Sequence, residues 1–307
     1  MPAAAASHIH LRDWGLLVLL SLIWSCSYLF IGIAVQSLSP LLIVMSRIVL
    51  AAIALLPVHL ILIGRLPRDR STWLAIVGMS ILNNVIPFTL IVTGQTMITA
   101  GLASVINATS PMFGVAFIAA AGLEPLILRK VLGIAIGILG VAILKGATLL
   151  GEGSQSIGIL LCLAAAASYG MGSLWAKRMI RGVAPLSMAT GQLLVSSGIM
   201  LVLAFSFDQP IQLLHAPWMG WLAILVLALV CTSLAYIVFF RIVEQAGAAN
   251  VLLATMMIPP CAIALGLIFL GETVQPREIA GAIVIVFALV IIDGRALQLF
   301  RRRKNAA

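Results

Sequence analysis

Acidic side chains are the scarcest chemistry in this chain. Asp and Glu together number 9 among 307 residues, against 18 Lys and Arg. None of them falls deep inside an apolar run: Asp13 precedes the first run and Asp293 closes the last. Charge of either sign is thin, at 9% of residues, where a soluble domain carries about 25%. A water-facing surface of ordinary make-up is therefore excluded, and lipid must be the solvent for most of the chain.

Other absences narrow the chemistry. The four cysteines, Cys26, Cys162, Cys231 and Cys261, lie in apolar runs with no C-x-x-C spacing and no neighbouring His cluster, so they read as small packing residues. There is no Walker A motif, no H-E-x-x-H and no G-x-S-x-G, and no pair of intramembrane carboxylates. A P-loop ATPase and a membrane enzyme using those motifs are disfavoured, and no catalytic residue, cofactor or metal is expected. A channel would want a continuous polar lining or a charged ring, and the polar residues are scattered instead. Carriers that couple to protons commonly relay them through buried carboxylates, and those are missing too. Met1 to His10 are Ala-rich without a basic n-region, and the run after Trp14 passes Phe30 with no A-x-A site. It is expected to be the first span rather than a removed leader.

What is present is hydrophobicity: 63% of residues are apolar and the mean hydropathy is +1.20. A helix needs about 20 apolar residues to cross a bilayer. Breaks at Gln36–Pro40, Thr93–Thr96, 151–156 and Asp208–Pro210 divide the chain. Spans are predicted near 14–35, 40–63, 72–93, 99–121, 129–147, 157–176, 185–206, 217–240, 248–270 and 276–295. Basic residues then fall on one side: Arg12, Arg65, Arg68, Arg70, Arg129, Lys130, Lys177, Arg178, Arg181, Arg241, Arg295 and the tail Arg301–Lys304. Lys145 and Arg277 face the other side, and Arg47 sits within the second span. This bias predicts a cell inner-membrane protein with both termini in the cytoplasm. It accounts for the net charge of +9 without nucleic acid, and the basic tail suits anionic lipid heads.

Sliding the chain on itself by 148 positions aligns Trp73-Leu74-Ala75-Ile76 with Trp221-Leu222-Ala223-Ile224. The same register pairs Pro111 with Pro259, Glu124 with Glu272, Arg129 with Arg277, Gly133 with Gly281 and Gly146 with Gly294. Trp, Pro, Glu, Arg and Gly matches are not supplied by an apolar background. Five spans per copy is an odd number, so the second copy enters the membrane inverted, a recurring plan of secondary transporters.

The stretch from Asn83 to Ala121, Gly122-Leu123-Glu124, Gly271-Glu272 and the run Trp24-Ser25-Cys26-Ser27-Tyr28-Leu29-Phe30 closely resemble the EamA family of the drug/metabolite transporter superfamily. The resemblance implies an all-α polytopic membrane protein with ten transmembrane helices in two inverted five-helix repeats, residues 1–150 and 151–307. It also implies export or exchange of amino acids, metabolites or drugs by alternating access. Gly32 stands where many members carry a Lys, so no role of that Lys transfers.

Residues expected to bind a small-molecule solute are Trp24, Tyr28, Arg47, Asn83, Asn84, Asn107, Tyr169, Gln192 and Ser233. Pro87 follows Asn83 by four residues, as Pro111 follows Asn107. A proline leaves the carbonyl at i−4 without its helical donor, so each kink frees an Asn carbonyl near mid-depth. The blander reading makes these Asn amides glue between helices. Pro87, Pro111, Pro259 and Pro260 are the expected hinges. Arg47 lies about 10 Å below Pro40 at 1.5 Å per residue. It would either attract a carboxylate or phosphate on the solute, or extend its stem to the headgroups or bond to carbonyls. The spacing Gly133-x-x-x-Gly137 suits close helix contact within the fold or between two copies in a homodimer. His59 reads as a polar residue at a helix end.

Overall fold

In the computed structural model, residues 11–146, 153–246 and 250–294 are described; the boundary expected at 150/151 and the basic tail lie outside them. All regular structure there is helical. The helices are α1 (Leu11–Ala34), α2 (Pro40–Leu62) and α3, which runs through Arg70–Ser80, Ile81–Val85 and Ile86–Gly94. Then follow α4 (Ala100–Asn107 and Ser110–Ala120), α5 (Leu128–Lys145), α6 (Ser154–Met179) and α7 (Pro185–Phe207). After these come α8 (Trp218–Ala228, Leu229–Leu234 and Ala235–Ala246), α9 (Val251–Phe269) and α10 (Pro276–Asp293).

Starts and stops follow local chemistry. Pro40, Pro185 and Pro276 occupy first-turn positions, where a missing N–H costs nothing. The Asp69 carboxylate accepts the Thr72 N–H at 2.7 Å to cap α3, and bonds from Thr72 and Ser71 hold its pKa down at about 2. Gln275 and Glu278 form a capping box on α10. α5 and α10 end at Gly146 and Gly294, whose φ angles of 66° and 71° favour a residue without Cβ.

Among the described residues, seven helices are long and apolar enough to cross a bilayer: α1, α2, α3, α4, α6, α7 and α8. This is fewer than the sequence pattern leads one to expect. α5 and α10 have 18 residues each and carry charges at their ends, Arg129, Lys130 and Lys145 in one, Arg277, Glu278 and Asp293 in the other. Described α9 has 19 residues. Large apolar side chains such as Ile53, Ile138, Val202, Phe205, Ile268 and Ile283 face outward, the pattern of a bundle solvated by lipid.

The halves exchange contacts as a two-fold requires. α1 packs on α9 and α6 on α4; α3 on α6 and α8 on α1; α3 on α7 and α8 on α2. α2 with α7, α4 with α9 and α5 with α10 map onto themselves. The last pair is antiparallel and close. A Cβ at Gly133 would stand 3.1 Å from the Ala288 carbonyl oxygen, and one at Gly281 2.9 Å from the Gly140 carbonyl oxygen. The Arg129 guanidinium lies against Gly294 and the Arg277 guanidinium against Gly146. Each arginine thus meets the carbonyl end of the other helix, where a cation is favoured. Gly137 packs on Met112 and Ala288, so the Gly133/Gly137 face is occupied within the chain.

Hydroxyls stitch the halves together. Ser21 and Ser25 Oγ lie 3.0 and 3.1 Å from the Ala254 and Ile258 carbonyls of α9, and 2.7 and 2.6 Å from carbonyls of their own helix. Ser80 Oγ reaches the Gln192 carbonyl at 3.1 Å and the Ile76 carbonyl at 2.7 Å. His59 lies in the last turn of α2, as expected; it is fully buried there, and neither ring nitrogen has a hydrogen-bond partner among the described residues. At one end of the bundle Glu124 pairs with Lys130 at 2.7 Å and with Lys177 of α6.

Two outcomes follow. Gly281→Val should force α5 from α10 and destabilise the detergent-solubilised protein by about 1–3 kcal/mol. Gly15→Ala, which meets open space, should leave the melting temperature unchanged. The bonds to Lys130 and Lys177 depress the Glu124 pKa, so their stabilisation is present above the ordinary carboxylate pKa and lost as pH falls through the depressed value. Glu124→Gln should lower the melting temperature at pH 7 and make no difference in acid below that range.

Candidate functional site

The deepest polar chemistry gathers where α1, α2, α3, α7 and α8 meet. Its centre is Arg47 of α2, 5% exposed. The side chain does not run out to a headgroup. Its Nε donates to Thr232 Oγ1 at 2.8 Å and an Nη2 N–H donates to Ser27 Oγ at 3.2 Å, while the guanidinium lies 4.1 Å from the centre of the Phe88 ring. The contact with an aromatic face is attractive for a cation. Among the described residues no carboxylate pairs with the guanidinium.

Beside Arg47 the backbone is widened twice. The π turn Ile81–Val85 interrupts α3 and the π turn Leu229–Leu234 interrupts α8, at starting positions 148 residues apart. In α3 the turn precedes Pro87, so the ladder is already loosened where proline withholds its N–H. In α8 no proline is present; hydroxyls fill the gap instead. Thr232 Oγ1 donates to the Leu227 carbonyl at 2.7 Å and Ser233 Oγ lies 3.0 Å from the Ala228 carbonyl, both five residues back. Irregular backbone at this depth needs such partners, since lipid supplies none.

The first π turn aims two amides inward. Asn84 is fully buried; its Nδ2 donates to Ser196 Oγ at 3.2 Å, and its Oδ1 accepts the Tyr236 hydroxyl at 2.9 Å. Asn83 is half-buried, with its amide oxygen beside Gly172 of α6. On α4, Asn107 Nδ2 donates to the Tyr28 hydroxyl at 2.8 Å, and the Asn107 carbonyl, which Pro111 leaves without a helical donor, accepts the Ser110 hydroxyl. That carbonyl is therefore not free. The helix breaks there, between Asn107 and Ser110. Pro259 and Pro260 lie within the continuous helix α9.

Trp24 of α1 stacks at a tilt on Phe239, 6.1 Å between centroids, and Phe239 and Phe240 extend an aromatic wall to Tyr236. Tyr169 is half-buried on α6. Two further predicted residues stand on α8 and α7. The Ser233 hydroxyl bonds the backbone of α2 at Ala51, 3.1 Å, besides its own helix. Gln192 is 3% exposed, and its amide oxygen has no hydrogen-bond partner. Phe88 is the residue that sequence reasoning missed; its position after Pro87 was the available signal.

An open cavity of about 480 Å³ lies elsewhere, lined by Gln95, Thr99, Gln155, Glu272 and Glu278 among others. Its two carboxylates are engaged at helix ends: Glu272 accepts the Ala100 and Gly101 N–H groups of α4 at 2.6 and 3.3 Å, and Glu278 closes the α10 capping box. These two carboxylates thus serve the joints between helices.

The model of the EamA-like transporter family matches residues 14–145 and again 156–293. The uncharacterized transporter YvbV of Bacillus subtilis is 28% identical over 283 residues, covering 92% of this chain and 91% of its own. The uncharacterized inner membrane transporter YedA of Escherichia coli K12 is 30% identical over 286 residues, 91% and 90% of the two chains. A probable amino-acid metabolite efflux pump of Salmonella typhimurium is 27% identical over 290 residues, 91% and 94%. One crystal structure shares the fold with a TM-score of 0.65 at 18% identity, over 95% of this chain and 98% of the other. Two matched repeats spanning most of the chain, over an all-helical bundle with a membrane-length apolar core, establish the relationship: this protein belongs to the EamA-like transporter family.

Proposed function

We propose that the protein is a secondary transporter that exports small metabolites across the cell inner membrane by alternating access. Its ten transmembrane helices form two inverted repeats, residues 1–150 and 151–307, with both termini cytoplasmic. The observation that carries this reading is the buried polar cluster around Arg47, built from α1, α2, α3, α7 and α8 and so drawn from both halves. A folded protein gains little from burying an unpaired guanidinium, whose desolvation costs several kcal/mol; a solute that completes the cluster gives that cost a purpose. The antiparallel α5–α10 pair supports the inverted arrangement, because helices at matching places in the two halves run opposite ways. The efflux pump among the relatives supports export and an amino-acid-like or other metabolite cargo.

In this reading Arg47, Asn83, Asn84, Trp24, Tyr28, Asn107 and Tyr169 contact the solute. Gln192 and Ser233 support them from α7 and α8. The bends at Pro87 and Pro111, with Pro259 and Pro260, let each half close one side in turn.

Counterflow in proteoliposomes, with a panel of amino acids and organic acids, tests transport. Asn84→Leu removes the partners of both Ser196 and Tyr236 and should cut the flux of any moved solute on the order of tenfold, the equivalent of one lost hydrogen bond of about 1.4 kcal/mol. Unchanged flux in that variant would remove Asn84 from the site. Labelling of cysteines introduced at Ala3 and Ala306 should find both on the cytoplasmic face; opposite sides would refute the ten-span arrangement.

A further inference from the structure

We infer that the cargo is an organic monoanion, one carboxylate on an aromatic or apolar body, that docks its carboxylate on Arg47 and leaves the cell without a coupled proton. The inference rests on the transport reading above and names its substrate class. It starts from the arithmetic of charge. Arg47 is buried, and the contacts of its guanidinium are to neutral groups: Thr232, Ser27 and the Phe88 face. Every described Asp and Glu stands outside the helices or within about a turn of a helix end. Among the described residues, the cluster therefore holds one positive charge and no negative one.

A guanidinium has five N–H donors in a planar fork. Here Nε and one Nη2 N–H are committed to hydroxyls, which fixes the plane of the fork and leaves Nη1 without a bond to the described residues. A carboxylate matches that geometry and closes the charge balance. A phosphate dianion would leave a second charge unmatched, because no other described Lys or Arg reaches the cluster. A free amine would meet no carboxylate there. From Tyr236, whose hydroxyl bonds Asn84, the aromatic wall of Phe240, Phe239 and Trp24 offers a flat apolar surface, and stacking on it suits a ring or a planar acyl chain.

The scarcity of acids bears on energetics as well. Proton-coupled carriers relay through intramembrane acids, and among the described residues none stands beside this site. A monoanion that moves alone carries one negative charge outward, and the inside-negative membrane potential drives that movement. A potential of ordinary size then sustains an outward gradient of roughly 50-fold with no second ion.

The test uses the purified full chain with phenylacetate, 4-hydroxybenzoate and phenylpyruvate, their neutral amides, phenethylamine and phenylalanine. At least one acid should raise the melting temperature in detergent and exchange in counterflow, at least tenfold better than its amide, the amine or phenylalanine. Arg47→Gln should abolish that preference while the fold persists by circular dichroism, and Arg47→Lys should restore part of it. A valinomycin-imposed potential, negative on the donor side, should speed flux of the acid, and a protonophore should not slow it once the potential is clamped. Amides, amine or zwitterion moved equally well, an acid preference that survives in Arg47→Gln, or flux indifferent to potential each overturn the inference while transport stands. A parent protein that moves no solute in the wider panel overturns the transport reading and this inference with it.

Discussion

The close antiparallel contact of α5 with α10 is the constraint on which the architecture turns. Between lipid-solvated helices there is no hydrophobic drive to associate, so packing has to supply the attraction. Glycine at positions 133, 140 and 281 brings the two backbones so near that a Cβ there would stand 2.9 to 3.2 Å from a carbonyl oxygen of the other helix. Arg129 and Arg277 then fix the register by reaching the opposite helix ends. A pair locked at both ends in this way sets a two-fold relation, and the remaining contacts between halves fall into exchanged sets around it.

Within that frame the polar centre is assembled from irregularity. A regular α-helix satisfies its own backbone and has nothing left to offer a solute. Both π turns release this closure locally, one beside a proline and one through hydroxyls bonded five residues back. The first carries Asn84, which bonds Ser196 and Tyr236, and the second carries Thr232, which bonds Arg47. The cation is held by short polar groups that orient it without neutralising it.

Much of this was legible in the sequence for a physical reason. Rare residue types at one spacing, Arg129 with Arg277 and Gly146 with Gly294, mark a repeated joint, and in the fold those residues touch one another's partners. Arg47 and the Asn–Pro pairs could be singled out because polarity in an apolar run costs energy. What the polarity does there was not legible. Whether Arg47 turns inward depends on Thr232, 185 residues away. The π turn in α8 lacks a proline, so only the adjacent Thr232 and Ser233 hinted at it. His59 could be placed at a helix end, but not its burial, which is decided by neighbours from other helices. The reading of Pro111 placed a free carbonyl where the fold supplies the Ser110 hydroxyl.

The serines between the halves carry a consequence for motion. A hydroxyl has one proton, yet Ser21, Ser25, Ser80 and Ser233 each stand within bonding distance of two carbonyls, one on their own helix and one on a helix of the opposite half. Sliding one half past the other would therefore strand no donor: each proton swings home as the gap widens and returns as it narrows. Contacts of this kind hold at rest and let go cheaply, like a clutch rather than a rivet.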